Sequence, residues 1–210
     1  MKRRLLLTLP ALALPALAGG CSVLPSRPYL ETRRYPLEPR RPASAPRQGA
    51  PRGAILLRTL RAGPGMEVRG LRRLRADGTL EVAFYDEWLA PPADLVEAAL
   101  REWLIASRAF SAVAAPGSRL STPLILEAGI ITLQAEPTQA RAAMTGLLLA
   151  EGVGLADPRV LAQRRMEAVV PLPAEVPPAA QAAGMQAALG QLFGEMEAWL
   201  VSSVPEMRRR

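Results

Sequence analysis

Histidine is absent from these 210 residues, cysteine occurs once, and aromatic side chains amount to 4%. Without an imidazole there is no Ser-His-Asp or Cys-His relay and no histidine-ligated metal, and a lone thiol closes no internal disulfide. Scarce aromatics leave Ala, Leu and Val to build the core. What is present is balanced: half of the residues are apolar and 21% are charged, the signature of a globular chain rather than a disordered one. The length suits one domain, or two small ones.

The net charge of +7 belongs to the ends. Residues 1–20 carry +3, residues 21–52 carry +5 and the tail Arg208, Arg209, Arg210 adds +3, while residues 53–207 carry −4. The part that folds is mildly acidic, so the high pI is no argument for nucleic-acid binding.

Met1-Lys-Arg-Arg is a basic opening, and Leu5–Leu17 is an apolar run interrupted by Pro10 and Pro15. It is too short to span about 30 Å of hydrocarbon, and small residues at Ala18-Gly19-Gly20 lead into Cys21, so residues 1–20 read as a signal peptide. The placement of Cys21 resembles a bacterial lipobox, with Ala18 where Leu is preferred. The resemblance implies a lipidated Cys21, and Ser22 after it favours the outer membrane over the inner. Several acyl chains at about 0.8 kcal/mol per buried methylene hold a protein at a bilayer for practical purposes irreversibly.

Residues 21–52 read as a tether after that anchor. Seven of the 21 prolines fall here among arginines, with almost no aliphatic periodicity; such a segment buries too little apolar surface to offset its ordering entropy. Extended as polyproline II it reaches roughly 90 Å. Its arginines, Arg33, Arg34, Arg40 and Arg41 among them, either lie on anionic headgroups at about 1 kcal/mol each or are simply solvated. Within it, Arg33–Leu37 can dock as a strand, since Tyr35 and Leu37 share a face.

From residue 53 to 205 the pattern becomes that of a single domain, followed by a basic tail at 206–210. Ala54–Arg61, Glu67–Arg75 and Thr79–Tyr85 are strand candidates set apart by Gly63-Pro64-Gly65 and Asp77-Gly78, the latter a tight hairpin signal. In the third run Leu80, Val82 and Phe84 alternate with Glu81 and Ala83, which predicts a half-buried strand with the apolar set inward. Residues 92–110 change to a helical period: Pro92 suits the first turn, Asp94 and Glu97 its positive end, and Leu95, Val96, Ala99, Leu100, Trp103, Leu104 and Phe110 form one stripe. Pro123–Leu133, Arg141–Glu151 and Arg159–Pro171 follow as strands. Pro178–Val201 is a second helix with Met185, Leu189, Leu192, Phe193, Met196, Trp199 and Leu200 on one side. Gly184, Gly190 and Gly194 weaken that helix by roughly 1 kcal/mol each, so packing must compensate or the helix bends. The order βββα-βββα predicts an α+β two-layer sandwich, a mostly antiparallel sheet with two helices on one face.

No constellation of catalytic residues emerges. Arg69–Arg75 splits its cations between two strand faces, which fits a solvated strand better than a phosphate site. Glu81, Asp86 and Glu87 lack metal-ligand spacing. Ser107 sits on a helix with no Gly-x-Ser-x-Gly elbow and no base, and Gly152-Val-Gly154 is an incomplete dinucleotide signature. The chain reads as a non-enzyme that needs no cofactor or metal and does not bind nucleic acid.

The corner Phe84-Tyr-Asp-Glu-Trp88-Leu-Ala-Pro-Pro92-Ala-Asp-Leu carries a resemblance. It is similar to the aromatic-x-x-Trp-Ala-x-Pro-helix signature of the ABC-type transport auxiliary lipoprotein family, with Glu87 where the family carries Arg and Leu89 inserted before Ala90. The lipobox, Tyr35-Pro-Leu37 and the Ser111–Val113 strand are also similar, and the likeness runs from Cys21 to about Leu200. It implies a lipid-anchored auxiliary of an ABC transporter with an MCE-type subunit, moving lipid or a hydrophobic solute across the periplasm. The ATPase, permease and MCE-domain protein are then separate chains, since no Walker motif or membrane span is visible. Trp88, Pro91 and Pro92 form a structural or partner-docking corner on this reading, and self-association is left open. The alternative is an assembly or activator lipoprotein of another envelope machine.

Overall fold

The computed structural model describes residues 29–45, 50–152 and 157–204, and Glu31–Arg210 forms one compact unit. Apolar runs become strands β1 Arg33–Tyr35, β2 Ile55–Leu57, β3 Arg61–Ala62, β4 Gly70–Leu74 and β5 Leu80–Trp88 ahead of helix α1, Pro92–Ser107. Then come β6 Val113–Ala114, β7 Leu124–Glu136, β8 Gln139–Ala150, β9 Arg159–Pro171 and helix α2, Pro178–Ser203. The nine strands form one sheet, so the fold is an α+β sandwich with more strands than the βββα-βββα order predicts. The run Ala54–Arg61 is divided, because at Leu60 the backbone N–H leaves the ladder to donate to Glu97 Oε2 at 2.8 Å.

Two long antiparallel ladders, β7–β8 and β8–β9, make the body of the sheet. The β4–β5 hairpin turns at Asp77-Gly78, where Gly78 has φ +83° and Thr79 N–H donates to Asp77 Oδ1. Short strands β1, β2 and β3 join in parallel. β1 lies at an edge of the sheet, β2 between β7 and β6, and β3 against β7, each brought alongside by a crossover connection.

Strand alternation then sets the two faces. Leu126, Ile130, Leu133, Ala140, Met144, Leu148, Met166 and Ala168 are buried on one side, while Glu136, Arg141, Arg165 and Glu167 share the other. α1 packs over β3, β6 and β7, and α2 over β7, β8 and β9. The helices meet where Trp103 and Phe193 stand edge to face, 5.6 Å between ring centres. Both helices begin with Pro at the first turn, where its missing N–H costs nothing. α1 ends at residue 107 rather than 110: Arg108 turns left-handed at φ 54°, and Ser107 Oγ donates to Leu104 O while accepting from Ala109 N–H. Phe110 is buried past the helix end, bridged to Arg52.

The glycines of the helix–sheet interface fall into two kinds. A Cβ on Gly184 would lie 2.6 Å from Leu172 Cδ2, and one on Gly146 of β8 would lie 2.8 Å from the Trp199 ring. Those two positions let α2 settle on the sheet. Gly190 and Gly194 have no such neighbour.

One expectation is reversed. Leu80, Val82 and Phe84 of β5 face solvent, 43%, 47% and 83% exposed, while Ala83 between them packs on the core. The register of β4 against β5 shifts between Gly70 and Arg72, so that Glu87 lies opposite Gly70 but Val82 opposite Arg72. This irregularity brings Leu71, Asp86 and Trp88 to the inner side and leaves the apolar set outside. Alternation told that two faces exist; the irregularity decided which was inner.

Candidate functional site

Trp88 closes β5 at 1% exposure, with its N–H donating to Arg69 O at 2.7 Å. Pro91 follows as the residue before α1 and Pro92 as its first. The three predicted corner residues therefore do sit together, as a rigid strand-to-helix joint whose indole is core rather than surface. Beside it β1 pairs with the end of β5, Arg33 opposite Asp86, Arg34 opposite Glu87 and Tyr35 opposite Trp88.

That register aligns charges. Arg33 Nε lies 2.9 Å from Asp86 Oδ1, and Tyr35 Oη donates to the same oxygen at 2.7 Å. Arg34 Nε meets Glu87 at 2.8 Å, with Arg69 on its second oxygen at 3.4 Å. Burial, and then the hydrogen bond to the Asp86 carboxylate, push the Tyr35 phenol above its ordinary range; the Arg33 guanidinium is likewise raised by its hydrogen bond to Asp86. Glu81 is paired with Arg75. All three acids of the predicted cluster are thus paired with arginines, Asp86 and Glu87 with those of β1 and Glu81 with Arg75 of its own hairpin.

Beyond β1 the chain lies as a strap across the two helices. Leu37 is buried at 2%, and Glu38 N–H donates to Gln186 Oε1 at 3.0 Å. Arg41 then reaches Glu197 on α2 with two bonds of 2.8 Å, Nε to Oε2 and Nη2 to Oε1. Both side chains are buried, and Trp103 Nε1 of α1 donates to Glu197 Oε2 at 2.9 Å. The hydrogen bond to Glu197 raises the Arg41 guanidinium above its ordinary value. Cation, carboxylate and indole so tie strap, α2 and α1 at one point.

Sequence reasoning missed this knot, although a signal was present. Glu197 follows Phe193 by four residues and precedes Leu200 by three, placing an acid on the apolar stripe of α2. A buried Glu is rare unless paired.

Of the four arginines considered for headgroups, Arg33, Arg34 and Arg41 are engaged with Asp86, Glu87 and Glu197. Arg40 is the most exposed of them and the least engaged, with the Glu38 carboxylate at 4.0 Å. Cys21 and the tail 208–210 lie outside the described residues, as does Val153-Gly154 of the glycine pair. Among the described residues no group of side chains has metal-ligand arrangement, and no helix is long and apolar enough to cross a membrane.

The ribbon β4–β5 is the other feature. Its outward apolar strip is extended by Tyr85, 40% exposed and edge-on to Phe84 at 4.9 Å. Such a run of neighbouring exposed apolar side chains fits contact with another molecule.

Comparison with known proteins bears on both features. The family model described as ABC-type transport auxiliary lipoprotein component matches residues 35–197. The fold is similar to that of a Xanthomonas campestris protein assigned to the family DUF330, with TM-score 0.64 at 20% identity, covering 82% of this chain and 92% of that one. A hypothetical protein of Chlamydia trachomatis is similar at TM-score 0.50 and 10% identity over 72% and 97% of the two chains. Among curated proteins none matches the sequence. The family match begins at Tyr35 and ends at Glu197, so the strap and the knot are inside it.

Proposed function

This chain belongs to the ABC-type transport auxiliary lipoprotein component family, and from that premise we propose that it works by docking, as a lipid-anchored partner of an ABC transporter with an MCE-domain subunit. On this reading the acylated Cys21 holds the protein on the periplasmic side of the envelope, at the outer membrane more readily than the inner. The basic segment from residue 21 sets its reach, with Arg40 free to meet headgroups. The domain contributes no chemistry. Its task is to present a surface to chains that bind and move a lipid or hydrophobic solute.

The observation that carries this reading is the outward apolar strip Leu80, Val82 and Phe84. An aromatic ring left 83% exposed on β5, in the stretch between the Val82 and Glu87 pairings, is a poor use of apolar area unless a partner covers it. The strip stands on a ribbon made rigid by the Trp88 corner, so a partner meets a preformed surface.

The test is a photo-reactive residue at Phe84, incorporated in cells, followed by denaturing purification and mass spectrometry of the attached chains. An MCE-domain or ABC subunit is the expected product. Recovery of only cell-wall or outer-membrane assembly factors refutes this reading in favour of the envelope-assembly one. Phe84→Ser is expected to leave stability within about 0.5 kcal/mol and to abolish the crosslink from a second probe at Val82.

A further inference from the structure

The strap does not fill the trench it crosses. On its α2 side stays a cavity of about 570 Å³, in the size range of small-molecule pockets, about 300–1,000 Å³. Trp103, Ala187, Gly190 and Gly194 line its floor, and Arg40 and Arg41 stand along the strap.

The two glycines are the unexplained part. Neither has a positive φ. A Cβ on Gly190 would meet only Pro39 at 3.7 Å, and one on Gly194 only Trp103 at 3.9 Å, both ordinary contact distances. Glycine is a poor helix former, and here neither backbone conformation nor close approach requires it. What its absence of side chain does provide is space. The charges of the cavity are also uneven: Arg40, Arg41 and Glu197 line it, two guanidiniums to one carboxylate. Glu197 is bound to Arg41, whereas Arg40 is exposed with its nearest carboxylate 4.0 Å away.

A floor of Ala183, Ala187, Gly190 and Gly194, flanked by Gln186 and Gln191 and bordered by the solvent-facing Arg40, fits a single aliphatic chain with an anionic head. We infer that this cavity binds a long-chain carboxylate, its hydrocarbon along Ala187, Gly190 and Gly194 and its head at Arg40. This deepens the transport reading by giving the auxiliary chain its own site for a hydrophobic solute. It rests on that reading for its purpose only, because the isolated protein is expected to bind without any partner.

The experiment uses the full chain carrying Cys21→Ser, so that no acyl group of its own competes, titrated with the fluorescent fatty acid cis-parinaric acid. Saturable binding is expected, with palmitate displacing the probe and hexadecanol at least tenfold less effective. Ala187→Phe, at an exposed helix position, and Arg40→Glu are each expected to weaken binding at least tenfold with the melting temperature retained. Absence of saturable binding, or binding unchanged in both variants, overturns the site. Equal displacement by the alcohol, or indifference to Arg40→Glu, overturns the anionic head. Failure here with a successful Phe84 crosslink leaves docking standing and removes only the bound solute.

Discussion

Replacing Arg41 by Met takes the cation from a buried pair while keeping most of its aliphatic stem. Glu197 is 3% exposed, and removing one partner of a buried ion pair typically costs about 3–5 kcal/mol. Two features lower that figure: the Trp103 indole N–H still donates to Glu197, and Glu197 borders a cavity into which an unpaired carboxylate can relax. About 2–3 kcal/mol is therefore expected, equivalent to a fall of roughly 5–10 °C in melting temperature for a domain of this size. Urea unfolding followed by tryptophan fluorescence measures it, with Arg40→Met as the exposed control, expected within about 0.5 kcal/mol. The double variant Arg41→Met/Glu197→Gln should recover most of the loss, since a neutral amide needs no counter-charge, and the cycle should give a coupling of at least about 1 kcal/mol. A loss under about 0.5 kcal/mol for Arg41→Met would mean that the strap is not held at this knot, and the account of the trench would fall with it.

The glycines supply a paired prediction: Gly146→Val drives a side chain into the Trp199 ring and should destabilise by about 1–3 kcal/mol, whereas Gly190→Ala should be neutral or stabilising by up to about 1 kcal/mol, both read from urea midpoints. If Gly190→Ala destabilises, the space beside it is not open. Acid gives a further test at the β7–β8 turn, where Arg141, Gln139 and Gln134 donate to Glu136 and hold its carboxyl down at about 2, the Arg141 hydrogen bond contributing most. A carboxyl depressed below its ordinary value contributes stability fully above about pH 4.5 and loses it as pH falls towards 2. After solvent screening the amount is about 1–2 kcal/mol. Comparing wild type with Glu136→Gln between about pH 6 and pH 3 should show that increment shrinking with acid in the wild type, and a constant difference would refute it.

Helices were the most legible part of this chain. The stripe from Leu95 to Leu104 and the stripe from Met185 to Leu200 each named their buried face, because 3.6-residue periodicity over several turns has few competing explanations. β9 was likewise bounded at Arg159 and Pro171. Strand faces were less legible. In β5 the alternation Leu80-Glu81-Val82-Ala83-Phe84 is a sound strand pattern, yet a register irregularity inside the hairpin inverted it, and irregularities of pairing leave no composition signal. Small strands such as β3 are fixed by their partner β7 and not by their own two residues. The corner Trp88-Pro91-Pro92 was visible as a motif. The knot at Glu197 was visible only as an acid out of place, since its partners Trp103 and Arg41 come from α1 and from a proline-rich segment without periodicity.

That segment shows where composition misjudges energetics. Ordering a chain is opposed by backbone entropy, but proline has already surrendered part of that entropy in the unfolded state. Pro36, Pro39 and Pro42 stiffen the strap, so fewer contacts suffice to hold it: one plug at Leu37, one amide bond from Glu38 and one ion pair at Arg41. Charge acts in the same direction. Residues 21–52 are basic and residues 53–207 carry a net −4; three of those acids, Asp86, Glu87 and Glu197, receive Arg33, Arg34 and Arg41. The apparent division between a basic lead-in and an acidic domain is, over these residues, the complementarity of two surfaces in contact. Over residues 33–45 that basic lead-in is part of the surface that the domain presents, so on the anchored reading proposed above those residues add nothing to the protein's reach.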